Sequence, residues 1–244
     1  MKTLQVLMPM GGLGSRFTKA GFEVPKPLIE VDGMPMFLKA YSSLNRLSVN
    51  KTLHFVIRQE SVDEQQLDTR IASALPEAKI TIIPELTRGA AETALAARDS
   101  LSPNDPLIVM DCDLYFQSES YNQLVQSVLD GSSDATGGLL TFTADNPRYS
   151  YAQFGSDNVV TKTAEKNPIS ENAITGAYFF ATAAEFIHAT ETLMQKPISP
   201  EMPEYYMSLL YNILIDEGKK IIATFVDEFA SFGTPEELEA YQKR

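Results

Sequence analysis

The segment from Leu4 to Pro27 constrains this chain most. An apolar run, LQVLMPM, breaks into a loop with glycines at 11, 12 and 14, followed by Ser15-Arg16 and then Pro25-Lys26-Pro27. Glycine adopts φ > 0 easily and has no Cβ, so such a loop turns its N–H groups toward an anion at close range. Three known loops compete. The dinucleotide fingerprint GxGxxG fits Gly12 and Gly14, but Phe17 stands where its third glycine belongs. The nucleoside-triphosphate P-loop ends in GK[ST], a triplet absent here. What remains is a GGxG[ST]R loop. It offers the backbone of Met10, Gly11, Gly12, Gly14 and Ser15, a forked guanidinium at Arg16 and an ammonium at Lys26, which together suit a triphosphate.

The rest of the chain alternates short apolar runs with helical stretches. Strands are expected at 3–8, 52–58, 79–84, 106–110, 135–143, 173–181 and 220–226, with a hairpin of 151–154 and 159–164 turning at 155–158. Helices are expected at 35–47, 61–75, 90–100, 118–129, 183–195, 204–217 and 235–241. The last opens with Thr234 as cap, Pro235 and two acids. Tyr206, Leu209, Leu210 and Ile213 recur at helical spacing and read as a core face. The pattern implies an α/β fold: a Rossmann-like mixed sheet flanked by helices. With 244 residues and no Pro/Gly/Ser-rich linker, residues 1–244 read as one domain.

Composition removes whole classes of function. The net charge of −12 argues against coating nucleic acid or an anionic membrane. A single cysteine, Cys112, allows no internal disulfide and fits a reducing compartment. The two histidines are far apart in sequence, against a multi-histidine zinc site. The first apolar stretch is interrupted by Gln5 and runs into the glycine loop, unlike an export signal, and no run is long enough to span a bilayer. A cytoplasmic protein is the expectation.

Two further segments carry chemistry. Gly89, Ala90 and Ala91 precede a helix, and such small residues let a flat ring lie against the backbone. The apolar run 107–110 ends in Asp111-Cys112-Asp113. Paired carboxylates at the carboxyl edge of an α/β sheet are hard oxygen ligands of the kind Mg²⁺ prefers while it also bridges to phosphates.

GGLGSRF, PKPL and VDGMPM, in this order, resemble the sugar nucleotidylyltransferases, or nucleoside-diphosphate-sugar pyrophosphorylases. The agreement continues through most of the chain. It implies a fold similar to the glycosyltransferase type A fold and a transfer reaction in which an acceptor phosphate attacks the α-phosphorus of a nucleoside triphosphate. On this resemblance Arg16 covers the leaving pyrophosphate, Lys26 the α-phosphate, and Gly89, Ala90 and Ala91 the base. Asp113 holds Mg²⁺ with Asp111 as accessory acid. The Glu165-Lys166-Asn167-Pro168 stretch resembles the family's EKP segment, with Glu165 on the acceptor and Lys166 on its phosphate. Asn172 and Gly176 line the acceptor pocket, and Phe232-Gly-Thr-Pro-Glu236 matches a closing GTPE element. The chain departs from the family at Ser231, where many members carry a second metal-binding Asp; either Asp227 or Glu228 is expected to take over, or the metal is expected to have one protein carboxylate and more phosphate and water ligands. The resemblance suggests CTP first, then UTP or dTTP, with a sugar 1-phosphate or another small phosphorylated acceptor in surface-polysaccharide synthesis. Members of the family often form homodimers. A glycosyltransferase with Asp111 and Asp113 as a DxD-like pair has no triphosphate tail to cradle, and a non-catalytic nucleotide binder would release no pyrophosphate.

The distribution of charge agrees. The first 30 residues carry +2, leaving −14 on the remainder, so cations gather where a triphosphate would lie.

Overall fold

The computed structural model describes residues 2–243. The strands are β1 (Leu4–Met10), β2 (Glu30–Val31), β3 (Met34–Pro35), β4 (Lys51–Arg58), β5 (Lys79–Ile83), β6 (Leu107–Met110), β7 (Leu114–Gln117), β8 (Gly137–Thr143), β9 (Ser150–Phe154), β10 (Val160–Glu165), β11 (Asn172–Phe180), β12 (Ile221–Phe225) and β13 (Glu228–Ser231). The helices are α1 (Ser15–Lys19), α2 (Met36–Ser42), α3 (Gln59–Gln65), α4 (Leu67–Ala74), α5 (Ala90–Leu95), α6 (Glu119–Leu129), α7 (Ala183–Met194), α8 (Met207–Asp216) and α9 (Pro235–Gln242).

The central sheet runs β10-β9-β11-β6-β1-β4-β5, with β8 added to β11 and β12 to β8. β1 lies between parallel neighbours, pairing Leu7 with His54 of β4 and Val6 with Ile108 of β6. Strands covered on both faces read as unbroken apolar runs, and the side chains of β1 accordingly divide between two cores. Leu7, Val56 and Val109 pack with α5, α7 and α8 on one face. Val6, Met8, Ile57 and Ile108 pack with α2, α4 and α6 on the other. Each fully buried side chain of this size stabilises the fold by about 1.5–3 kcal/mol. A third, smaller cluster of Phe17, Ile29, Val31, Met36, Phe232 and Leu238 ties α1 and α9 to the β2–β3 turn.

The site arises from a change of partner along β11. Residues 177–180 of β11 pair antiparallel with β6, whereas Ala173 pairs with Tyr151 of β9. Between them the sheet parts. Register against β8 also slips between Ile174 and Tyr178. The carboxyl end of β6 therefore empties into a notch in the sheet.

Several expected elements differ. The 61–75 helix is broken at Gln66, whose left-handed φ of +52° ends α3 and restarts the chain as α4. Residues 204–206 do not join α8, because Tyr205 is held as extended backbone: its N–H donates to Arg88 O (2.8 Å) and its carbonyl accepts from Ala91 N–H (3.0 Å). The 90–100 helix ends at Leu95 and finishes as a short 3-10 turn, Arg98–Ser100. The 35–47 helix narrows to Met36–Ser42. The ribbon of β7 and β13 and the short α1 were not legible from local pattern. The hairpin is present, with a bulge between Val160 and Lys162. Among the described residues, no helix is long and apolar enough to cross a membrane.

Candidate active site

Asp111 and Asp113 follow β6 directly into the notch. The Asp111 N–H donates to Gly176 O (3.0 Å). Gly176 has φ +98°, and a Cβ there would stand 2.5 Å from Asp111 Oδ2. A glycine is thus required for the carboxylate to sit inside the sheet. Burial, with the Asp113 charge beside it, pushes the Asp111 carboxyl up to about 8, and nearby Lys26 only partly offsets this. Asp113 is tied to the C-terminal ribbon through Phe232 N–H, which donates to its carbonyl (2.7 Å).

The glycine loop closes over these acids. Gly14 has a left-handed φ of +61° and starts α1, and a Cβ on it would lie 3.2 Å from Lys26 Cβ. This close approach brings Lys26 back under the loop, where its Nζ donates to Asp113 Oδ2. Burial works against the charge of Lys26, but the acidic neighbours, Asp113 foremost, hold its pKa above the usual lysine value. Met10, Gly12, Gly14, Lys26, Asp111 and Asp113 surround a cavity of about 280 Å³. Gly12 meets no atom within 4 Å and faces open space, whereas Gly11 packs against Thr93 and Ile83. Ser15 is the first residue of α1. Arg16 is exposed, and its Nη1 reaches Gly233 O (3.4 Å).

Across the two aspartates lies a second cavity of about 230 Å³, walled by Asp111, Asp113, Arg148, Glu165, Tyr206 and Ser231 among others. Glu165 ends β10 and accepts hydrogen bonds from Ser150 Oγ and Ser208 Oγ (2.8 Å to the latter). Lys166 takes a left-handed φ of +53° and donates from Nζ to Tyr206 Oη (2.8 Å). Ala90 and Gly176 reach this wall as well. Asn172 opens β11, four residues before Gly176 and so about 13 Å away along the strand.

Two other expected residues serve packing. Gly89, with φ +144°, lies so close to Tyr205 that a Cβ would stand 2.6 Å from its backbone N and O. Ala91 is fully buried, with its N–H committed to Tyr205 O. Asp227 is a correction: it lies at the far end of the β7–β13 ribbon, where its carboxylate accepts from Glu119 N–H (2.8 Å) at the start of α6. Glu228 likewise turns to Gln117 (2.7 Å).

The carboxylate that does reach Ser231 comes from α9. Glu237 accepts from Ser231 Oγ (3.1 Å), from Tyr149 Oη (3.4 Å) and from Arg148 Nη2. A Cβ on Gly233 would lie 3.2 Å from Glu237 Oε2 and 3.6 Å from Asp113 Oδ2, so both acids border one spot. Arg148, Tyr149 and Glu237 were missed in the sequence, and Tyr206, read there as part of a core face, is half-buried and lines the second cavity instead. Glu237 looked like an ordinary first-turn helix acid, and nothing local marks the others. Among the described residues, no three His, Cys, Asp or Glu side chains form a metal cage.

A glycine loop whose lysine meets strand-end carboxylates, with one cavity on each side of them, makes a two-sided cleft at the carboxyl edge of the sheet. The chain belongs to the nucleotidyl transferase family, whose model matches residues 5–208, and it is a nucleotidyltransferase. It is similar to a nucleoside-diphosphate-sugar pyrophosphorylase from Vibrio cholerae RC9, at 26% identity and a TM-score of 0.82 over 98% of this chain and 100% of that one. A Bacillus anthracis protein assigned as a glucose-1-phosphate thymidylyltransferase shares the fold, at 19% identity and a TM-score of 0.77 over 99% and 94% of the two chains. So does the inositol-1-phosphate CTP transferase of T. maritima, at 14% identity and 0.72 over 99% and 94%.

Proposed function

We propose that this enzyme transfers a nucleotidyl group from a pyrimidine nucleoside triphosphate (CTP first, then UTP or dTTP) to a small phosphorylated acceptor such as a sugar 1-phosphate, in the synthesis of surface-polysaccharide precursors. A phosphate oxygen of the acceptor attacks the α-phosphorus, the bond from that phosphorus to the bridging oxygen of the β-phosphate breaks, and pyrophosphate leaves. The attacking phosphate is already ionised, so no strong general base is needed. Catalysis then rests on positioning and charge neutralisation.

One observation carries the reading: Lys26 and Asp113 are paired in the wall between the two cavities, where a reacting phosphate would have to lie. Lys26 holds the α-phosphate there and Arg16 the departing pyrophosphate. Glu165 and Lys166 hold the acceptor from the other side. The volume of about 230 Å³ suits a small acceptor.

The donor set also fits Mg²⁺. Asp111 and Asp113 supply hard oxygens, both of them in the walls of the two cavities. Two carboxylates suit an ion that keeps phosphate and water ligands. Asp113 would hold it with Asp111, and when bound it would neutralise charge on the phosphates. The test is a pyrophosphate-release screen of CTP, UTP, dTTP, ATP and GTP against phosphorylated acceptors with Mg²⁺. Turnover with a pyrimidine triphosphate is expected. Release from none of these pairs, by folded protein, overturns the reading.

A further inference from the structure

Arg58 has no part in the chemistry above, yet its position bears on it. It ends β4, the neighbour of β1 on the side away from the aspartates. Met10 is in register with Ile57, so Arg58 stands level with Gly11, one strand spacing of about 4.8 Å away. A cavity of about 510 Å³ is lined by Arg58, Ser61 and Gln65 together with Gly12, Gly14 and Lys26. These last three residues also wall the cavity that contains Asp111 and Asp113. The two spaces therefore meet along the glycine loop.

The guanidinium is underused as a structural group. Its side chain is only 13% exposed, and among the described residues its one partner is Glu60, at 52% exposure, held through Nη1. The buried Nε has no partner. A single ion pair with a half-exposed carboxylate stabilises little, and a buried arginine with unmatched donors is costly. Among the charged residues lining this cavity, Lys26 and Arg58 outnumber Glu23. A buried cation of forked geometry beside a phosphate-binding loop suits a diphosphate.

We propose that Arg58 is a further ligand of the donor site, receiving the terminal phosphates of the triphosphate and then the released pyrophosphate. This rests on the nucleotidyl-transfer reading. With the α-phosphate at Lys26 and Asp113, the polyphosphate runs past Gly12 and Gly14 and ends at Arg58. Arg16 approaches from the α9 side of the loop and Arg58 from the α3 side, so the leaving group is met by a cation on each flank.

The test measures binding of inorganic pyrophosphate with Mg²⁺ by calorimetry, alongside pyrophosphate release in turnover. Arg58→Gln is expected to weaken pyrophosphate binding about tenfold or more, as loss of a charged hydrogen bond implies, and to leave the KM for acceptor unchanged. Arg58→Lys should recover part of the affinity. Glu60→Gln frees the guanidinium and should tighten pyrophosphate binding about twofold or more, whereas a merely structural ion pair predicts only lost stability. Pyrophosphate affinity within about twofold of wild type in Arg58→Gln, or no tightening in Glu60→Gln, overturns the assignment even if the wild type turns over. A wild type that neither binds nor releases pyrophosphate overturns the nucleotidyl-transfer reading along with it.

Discussion

Gly89 and Gly12 should respond differently to the same substitution. In Gly89→Ala the new methyl group would meet Tyr205 N and O at 2.6 Å, at a backbone φ of +144°. Backbone strain of this kind costs roughly 1–3 kcal/mol and overpacking a similar amount, so a loss of about 2–6 kcal/mol is expected. The contacts are backbone atoms, which cannot rotate aside as a side chain can. Moving Tyr205 would also break its bonds to Arg88 O and from Ala91 N–H. Urea unfolding followed by far-UV circular dichroism measures the loss directly. Each kcal/mol corresponds to about 2–4 °C in Tm at this size, so the melting temperature should fall by at least about 4 °C. Gly12→Ala is the internal control. Its methyl group would meet nothing within 4 Å, and its stability should stay within about 0.5 kcal/mol of wild type. Because Gly12 walls both cavities beside the glycine loop, that methyl group should, on the proposed nucleotidyl-transfer reading, instead weaken nucleotide affinity. A Gly89→Ala protein that loses less than about 1 kcal/mol would refute the reasoning that this glycine is there for the approach of Tyr205.

Further predictions concern charge and capping. Lys26→Ala and Asp113→Ala should each lower turnover by about 10²–10³-fold, and the double mutant should be little worse, because the pair acts as a unit; additive losses in a pyrophosphate-release assay count against this. Burial, helped by the charge of Lys79, depresses buried His54 from 6.5 to about 4, so the unfolded chain takes up a proton first. Its contribution is intact above pH 6.5 and falls away as pH drops toward 4, by about 3 kcal/mol, since each tenfold difference in proton affinity between the two states is worth about 1.4 kcal/mol. Urea midpoints of wild type and His54→Leu across this window should converge as pH falls, and parallel curves would argue against it. Ser118 Oγ caps α6 by accepting from Tyr121 N–H (3.0 Å) and donates to Phe225 O (2.6 Å), so Ser118→Ala should cost about 1–2 kcal/mol; an unchanged urea midpoint would dismiss the cap.

Much of the architecture was legible because its cause is local. The runs of β1, β4, β6 and β11 are mainly apolar because both faces are covered, and their ends fell within a residue or two of expectation. Thr234 marked a helix start because a cap bonds an N–H only three residues away, and Ser118 and Thr182 cap α6 and α7 in the same way in the structure. The break at Gln66 was not legible, since a non-glycine residue in the left-handed region leaves no compositional trace. Nor was the β7–β13 ribbon, whose partners, Leu114 and Ser231 among them, are remote in sequence.

The site divides the same way. By itself the sequence disclosed a glycine loop with Arg16 and Lys26 and strand-end acids at 111 and 113, and so raised the expectation of phosphate chemistry at a sheet edge, because each is a short motif whose geometry follows from its own backbone. Which acid stands beside Ser231 was another matter. Asp227 is four residues away in the chain but is carried along an extended ribbon to the start of α6, while Glu237, six residues on, returns because the chain turns into α9. In the same way Gly89 answers to Tyr205, Arg58 meets the loop across a strand pair, and Arg148 meets Glu237 across 89 positions. These juxtapositions depend on register and packing between distant segments, and only the folded chain sets them.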